Sequence, residues 1–487
     1  MVNYLWIDKI TDKILERNKE NYICSSGISV SGVLHVGKLR DIFISDLIYK
    51  SLKNHSNQAK LIYFVDDFDR FNKVPKNLSD SFQQFIGLPY YKVPDPCGNH
   101  KNFVDHFFKG FLKSLNLLQI NPSLISQADR YNKGDYDLEL ETIFENKDEI
   151  CEIVNKTRKN SKIKFDISRL FHIYCRKCNK EDILSKELFF NGDIGYKCKC
   201  GNRDIINIKE KGLVKLAWIV DWPSRWNKDE VDFEPIGPDH ASPGGSYDIA
   251  KEIFLRIFNK KNPVVQQYGF VKLKNGKKMS SSGSSNISLE NFLEIYEPDI
   301  VRKIFNSKLP KQFFGVGIGE EVFTLYDAFD KEYTERGLGK VPSFKELSIL
   351  LQIHQMDNEK TWSPINKDFV NIEKLNERLR RVKNWVENYA TNKHRFLLKD
   401  HIETSFYNEN DKSIIQDFLI DIDSLKTEIE IENKIYHIAK AHSTSPKDVF
   451  PIFYKLLIGK TEGPRLARII INCDKEKVRK LLSGVLK

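Results

Sequence analysis

Apolar and polar positions near the start of the chain follow two periods in turn. Tyr22-Ile23-Cys24 is a short β-favouring run, and the small, Gly-rich stretch Ser25 to Gly32 follows it. From Val36 to Leu52 apolar residues recur at helical spacing. Residues 60–69, KLIYFVDDFD, read as a buried strand that ends in carboxylates. Strand, helix and strand within about 45 residues predict a parallel βαβ unit, with ligands bound at the carboxyl ends of the strands. LVKLAWIVDWP, residues 213–223, reads as a further apolar strand ending in a polar turn. From about residue 320 the pattern becomes helical. In NIEKLNERLRRVKNWVENYA, Ile372, Leu375, Leu379, Val382 and Trp385 share one face, with Arg378, Arg380, Arg381 and Lys383 largely off it.

Composition narrows the class. The chain has 487 residues, enough for two to four domains, and is 40% hydrophobic and 30% charged, as globular proteins are. No apolar run approaches the roughly 20 residues that span a bilayer. MVNYLWIDKITDKILERN at the start is charged and amphipathic, without a signal-peptide core, so a cytoplasmic protein away from membranes is expected. The 77 Lys and Arg against 67 Asp and Glu leave a net charge of +10. That suits a polyanionic partner such as nucleic acid, and equally a Lys-rich, Asn-rich composition inherited from an AT-rich genome.

Two segments have the chemistry of a nucleotide site. In SSGISVSGVLHVGKLRD, residues 25–41, a Gly-rich turn after a strand lets backbone approach a nucleotide. A helix then starts near Val36, and its N-terminus favours phosphate. His35 stands at that entry, where it can donate to a phosphate oxygen or simply cap the loop. GKKMSSSGSSNISL, residues 276–289, places Lys277, Lys278 and a run of hydroxyls in a Gly-flanked loop. Lys278 can meet a pyrophosphate as a point charge. Either segment alone also reads as an ordinary surface loop; the pair is much less common by chance.

Four of the eight cysteines cluster as Cys175-x-x-Cys178 and Cys198-x-Cys200. Four thiolates in two tight pairs suit tetrahedral Zn2+, and no thioredoxin-like surroundings favour a redox role. His172 is an alternate ligand. Cys24, Cys97, Cys151 and Cys473 read as scattered core residues.

The two phosphate segments resemble the HIGH and KMSKS signatures of class I aminoacyl-tRNA synthetases. VDDFDRFNKVP, VPDPCGNHKNFVDHF, VDWPSRW and VDFEPIGPDHASPGGSYDIAKEIF extend the likeness to the class I lysyl-tRNA synthetase family, and LLIGKTEGPRLARII resembles its C-terminal region. GPDHASPGGSYD is the most specific of these. Two departures stand out: Lys38, where the family more often has Asn, and SSSGSS after Met279, which lacks a further lysine.

The resemblance implies an α/β fold: a Rossmann-like parallel-sheet catalytic domain with a zinc-binding insertion, then an all-α anticodon-binding domain. The expected division is 1–164 for the first catalytic half with the start of the insertion, 165–210 for the zinc-binding insertion, 211–320 for the second catalytic half and 321–487 for the helical domain. It implies ATP, Mg2+, L-lysine and tRNA-Lys as cofactors and partners, with a monomer as the expected state. His35, Gly37 and Lys278 would be catalytic, and Met279, Ser280 and Ser281 would join them at ATP. Ser282 would help order that loop. Gly27, Ser29, Trp218, His240 and Tyr268 would line the lysine pocket. Asp66, Asp67 and Asp69 each offer a partner for the ε-ammonium or a helix cap, and Asp67 is the candidate carried forward. Two alternatives stay open. A glutamyl enzyme would need a pocket arginine, for which Arg225 lies nearby. A non-catalytic zinc-containing RNA-binding protein would be expected to have lost His35 or Lys278, and both are present.

Overall fold

The computed structural model describes residues 5–55, 58–158, 164–274, 287–338, 340–362, 371–400 and 407–486. They fall into two compact units, one of residues 1–293 with 301–316, the other of 294–300 with 317–487.

The first unit is built on a five-stranded parallel sheet. Its strands are β1 (Asn21–Ile28), β2 (Gln58–Val65), β3 (Ser123–Ser126), β4 (Phe233–Ile236) and β5 (Val264–Gln267), in the order β5-β4-β1-β2-β3. The expected βαβ unit is β1, helix α1 (Leu39–Asn54) and β2, with Ile28 in register with Val65. Inner strands of a parallel sheet are covered on both faces, which is why β2 ends in five consecutive buried residues, Leu61 to Val65. The chain moves outward from β1 to β3, then returns to β1's other edge with β4. That reversal opens a crevice between the carboxyl ends of β1 and β4, where open α/β sheets place ligands.

The expected strand at 213–223 is mostly helix. Only Val214–Leu216 is extended, and α2 runs from Trp218 to Asp229. Burial on all sides makes an apolar run equally compatible with either element, and α2 runs on through Pro223. Ile219, Val220, Trp222 and Trp226 are buried, and Trp226 lies in a core with Ile62, Phe64, Ile236 and Phe254.

Residues 183–207 form a separate antiparallel ribbon of three strands, Ile183–Leu188, Asp193–Cys198 and Arg203–Asn207. Its cysteine-bearing base is stitched to the segment after β2. Arg70 pairs with Asp182 at 2.9 Å, Lys92 donates to Asn179 Oδ1 at 2.7 Å, and the Glu181 amide donates to Gly87 at 2.8 Å.

The described part of the second unit is helical over most of its length. Leu375, Leu379, Val382 and Trp385 of helix Ile372–Asn388 are buried, as the spacing predicts, but Ile372 is exposed at the first turn. Arg378 and Arg381 are buried too, although helical spacing puts them off the apolar face. Arg378 lies over the Tyr326 ring and bonds Glu297 at 2.9 Å and both oxygens of Asp330 at 2.7 Å. Helical spacing put Arg378 off the apolar stripe without revealing that carboxylates from residues 297 and 330 pack there. Arg380 alone of the three stays exposed.

Candidate active site

β1 delivers Gly27 and Ser29 to the crevice. A Cβ on Gly27 would meet only Phe64, at 3.8 Å, so the rest of the space above it is open. Glycine inside a strand with open space beside it admits close approach of a ligand. Beyond Ser29 the chain turns through Gly32, whose φ of 143° favours glycine, and reaches His35 at the entry to a helical turn, Val36–Lys38, that leads into α1. Gly37 lies in that turn.

His35 is buried, and its Nδ1 has no hydrogen-bond partner among the described residues. Burial, and then the Lys38 ammonium, bring its pKa down to about 4. The ring is therefore neutral at pH 7, with one nitrogen to donate and one to accept. On either side of it the backbone meets the last residues of the second phosphate segment. The Val36 amide donates to Ile287 at 2.9 Å, the Leu289 amide donates to Leu34 at 3.2 Å, and His35 bridges to Ser288. Lys278, Met279, Ser280, Ser281 and Ser282 lie outside the described residues, but the exit of their loop is bonded beside His35.

α2 and β4 supply an aromatic wall. Trp218 stacks on Trp222 with centroids 5.0 Å apart, and His240 lies 5.6 and 5.4 Å from the two rings. His240 Nδ1 is 2.8 Å from Ser246 Oγ, and burial lowers its pKa. The indoles of Trp222 and Trp226 both donate to buried Glu234 on β4, at 3.2 and 2.6 Å. The Trp218 indole nitrogen, also buried, has no partner among the described residues. Tyr268 follows β5, its amide bonded to Ile236 at 3.0 Å. Its hydroxyl would stand 3.1 Å from a Cβ at Gly237, so a larger residue at 237 would push the phenol away.

The three carboxylates after β2 are all engaged. Asp67 accepts from Ser126 Oγ at 2.5 Å and from the Ala128 amide at 2.7 Å, in the first turn of the helix Gln127–Lys133 that Ser126 caps. Asp66 accepts from Arg225 at 2.6 Å, and Asp69 pairs with Lys215. Arg225 also bonds Asp221 and lies across the Phe64 and Trp218 rings. The carboxylate that sequence reasoning passed over is Asp41, on the first turn of α1. Burial raises its pKa to about 6, against the Ile42 amide and the Lys38 ammonium, which favour its charge. Asp41 is also the foremost charge acting on the buried Tyr268 phenol, whose pKa is raised first by burial and then by Asp41 and Asp239. A signal was present in the sequence, because an acid one turn into a helix that starts at a phosphate segment faces the same crevice.

At the ribbon base, Cys175, Cys178, Cys198 and Cys200 converge, with sulfurs 3.7 Å apart for Cys175 and Cys200 and 3.6 Å for Cys178 and Cys198. Tetrahedral zinc with sulfur at about 2.3 Å spaces its ligands by about 3.8 Å, so the set fits that ion. Burial opposes the Cys175 thiolate, but the Cys178 and Lys177 amides and the Tyr196 hydroxyl outweigh it and bring the thiol down to about 6. His172 is not in this group; its Nδ1 meets Glu181. Cys24 and Cys473 are core residues as expected and Cys151 is half-buried, but Cys97 is exposed.

Residues 4–366 match the family described as tRNA synthetases class I (K). The lysine–tRNA ligase of Pyrococcus horikoshii is 31% identical over 98% of this chain and 99% of its own length. That of Borrelia garinii subsp. bavariensis is 32% identical over 98% of each. A solved glutamate tRNA ligase from Elizabethkingia meningosepticum superposes with a TM-score of 0.47 at 12% identity, covering 96% of this chain and 99% of the other. With a match across three quarters of its length and relatives alike from end to end, the chain belongs to the class I lysyl-tRNA synthetase family.

Proposed function

We propose that this protein activates L-lysine with ATP and transfers it to the terminal adenosine of tRNA-Lys, releasing AMP and pyrophosphate. The observation that carries the reading is the crevice itself. Buried His35 Nδ1 and Trp218 Nε1 lack partners among the described residues, and they share one sheet end with Gly27, Ser29, His240, Tyr268 and Asp41. An unsatisfied buried polar atom is costly, and a ligand that supplies the missing bond recovers that cost.

In the first step the lysine carboxylate attacks the α-phosphate, and in the second a ribose hydroxyl attacks the adenylate. Such chemistry asks the protein for positioning and charge stabilisation. His35 donates to a phosphate oxygen at the helix entry, with Gly37 leaving room for the approach. Lys278 brings a positive charge to the leaving pyrophosphate, while Met279, Ser280, Ser281 and Ser282 order the loop that holds it. Mg2+ accompanies ATP. Trp218 and Tyr268 bracket the lysine side chain, His240 orients its α-amino end, and Asp41, in place of the engaged Asp67, faces its ε-ammonium. Arg225 is neutralised by two carboxylates, which disfavours a glutamate substrate.

The four clustered cysteines hold a structural Zn2+ that stiffens the ribbon for contact with the tRNA acceptor end. The division at 165, 211 and 321, the anticodon-binding role of the last part, a monomeric state and a cytoplasmic location belong to the same reading. Among the described residues no helix is long and apolar enough to cross a membrane.

ATP–pyrophosphate exchange in the presence of tRNA tests the site: Lys278→Ala should lose most activity, and full retention would remove that role. Charging of total tRNA with each of the twenty amino acids tests the substrate. Esterification with lysine alone is expected; glutamate in its place would overturn the assignment.

A further inference from the structure

Lys38 is a charged residue at the crevice entry that the mechanism above leaves unused. It closes the helical turn Val36–Lys38 and stands at the N-cap of α1, a helix of 16 residues. That end of a helix carries a partial positive charge, so an anion is favoured there and a cation disfavoured. A neighbouring acid is the ordinary remedy. Asp41 lies in the same first turn, yet among the described residues the Lys38 side chain has neither an ion pair nor a hydrogen bond. Lys38 is also half-buried, so water solvates it only in part.

Three further observations point that charge at a ligand. His35, three positions earlier at the same entry, is 8% exposed, and its Nδ1 has no partner among the described residues. The Lys38 charge reaches both walls of the crevice. It adds to burial in lowering the pKa of His35 and of His240, and it opposes the burial that raises Asp41. The chain returning from the loop of Lys278 is bonded close by, where the Val36 amide donates to Ile287 at 2.9 Å, two positions before Lys38. Two lysine-bearing segments therefore meet at one end of α1. The two departures in the sequence complement each other there. The SSSGSS loop has a lysine fewer, and position 38 has a lysine where the family more often has Asn.

On the adenylation reading of this crevice, we propose that Lys38 is a second phosphate-binding cation, which holds the β- and γ-phosphates of ATP together with Lys278 and steadies the pyrophosphate as it leaves. Lys38 transfers no proton and forms no covalent bond. As the bond from the α-phosphorus to the bridging oxygen breaks, charge gathers on the pyrophosphate, and a fixed ammonium stabilises it. The phosphates in turn bring the negative charge that the end of α1 lacks.

Calorimetry on the full chain with Mg2+ present tests this through binding alone. ATP should bind Lys38→Asn about 10–100-fold more weakly than wild type, the size of one charge-assisted hydrogen bond. AMP, which lacks the β- and γ-phosphates, should bind both proteins equally. Lys38→Arg should keep most of the ATP affinity. In ATP–pyrophosphate exchange with tRNA present, Lys38→Asn should raise KM for ATP and leave KM for lysine unchanged. It should unfold no earlier than wild type, because the substitution takes a cation off the positive end of a helix. An ATP affinity of Lys38→Asn within about twofold of wild type would overturn the proposal, as would an equal loss for AMP. So would an Arg variant as impaired as the Asn one, since charge is then not what acts. A wild-type chain that binds ATP no more tightly than AMP would overturn it without any variant. Exchange driven by an amino acid other than lysine would instead overturn the substrate reading, and the ATP and AMP affinities would still decide Lys38.

Discussion

Two polar groups sit at the same end of the sheet and differ in how complete they are. Around Arg225, every charge has found its opposite: Asp66, Asp221, Lys215 and Asp69 close on one another, with Tyr131 donating to Asp221. Around Trp218 and His35, two buried ring nitrogens have no partner among the described residues, and burial raises the Asp41 carboxyl to about 6. On the proposed reading, the closed group is a piece of architecture and the open one the place of the ligand. Residue type does not separate them, since both contain carboxylates, aromatics and a base. What separates them is ion pairing: the Arg225 group neutralises its own charges, although Arg225 Nε has no hydrogen bond among the described residues and burial raises Asp66 to about 6 as well.

That contrast breaks most sharply at Arg225. Arg225→Ala leaves Asp66 and Asp221 buried without their counter-ion and should cost about 3–5 kcal/mol in urea unfolding. Stability within about 1 kcal/mol of wild type would mean that the closed group is not a structural unit. His35→Ala should do the opposite. Its exchange rate should fall by about 10²–10³, the size of losing one donor to developing charge, with unfolding little changed. Large losses in both measurements would place His35 in the architecture instead.

Acid sharpens the comparison further. Below a pKa of about 6 the Asp41 carboxyl is neutral and cannot pair with an ammonium. In tRNA-charging kinetics, kcat/KM for lysine should therefore fall about tenfold per pH unit below that point. The limb should vanish in Asp41→Asn, which should already be slow at pH 7. His35, at about 4, stays neutral over this range and adds no limb of its own. Asp67→Ala should have the smallest effect, about 0.5–2 kcal/mol of stability through the lost bond to the helix's first turn, with KM for lysine unchanged. A large rise in that KM would return Asp67 to the pocket.

Local features of the site were legible from sequence. The βαβ unit, the Gly-rich turn before His35 and the two cysteine pairs each lie within a short stretch, where period and spacing determine structure. Partnerships at long range were not legible. Arg225 meets Asp66 across 159 positions, and nothing in VDDFD says which of its three acids will receive it. Trp218 was misplaced on a strand because an apolar run buried on all sides has no period to read. Cys97 was taken for core because one cysteine in a loop has no pattern until Asp95, His100 and His106 fold around it.

The order of the sheet has a consequence for synthesis. β1, β2 and β3 are complete once residue 126 has left the ribosome, but the strand that covers the other edge of β1 ends at Ile236. At about 5–20 residues per second, that edge stays open for roughly 5–20 s. An unpaired strand edge is a template for pairing with the wrong chain. The strand reversal that creates the crevice thus leaves Gly27 and its neighbours among the last parts of the sheet to be sheltered in the nascent chain.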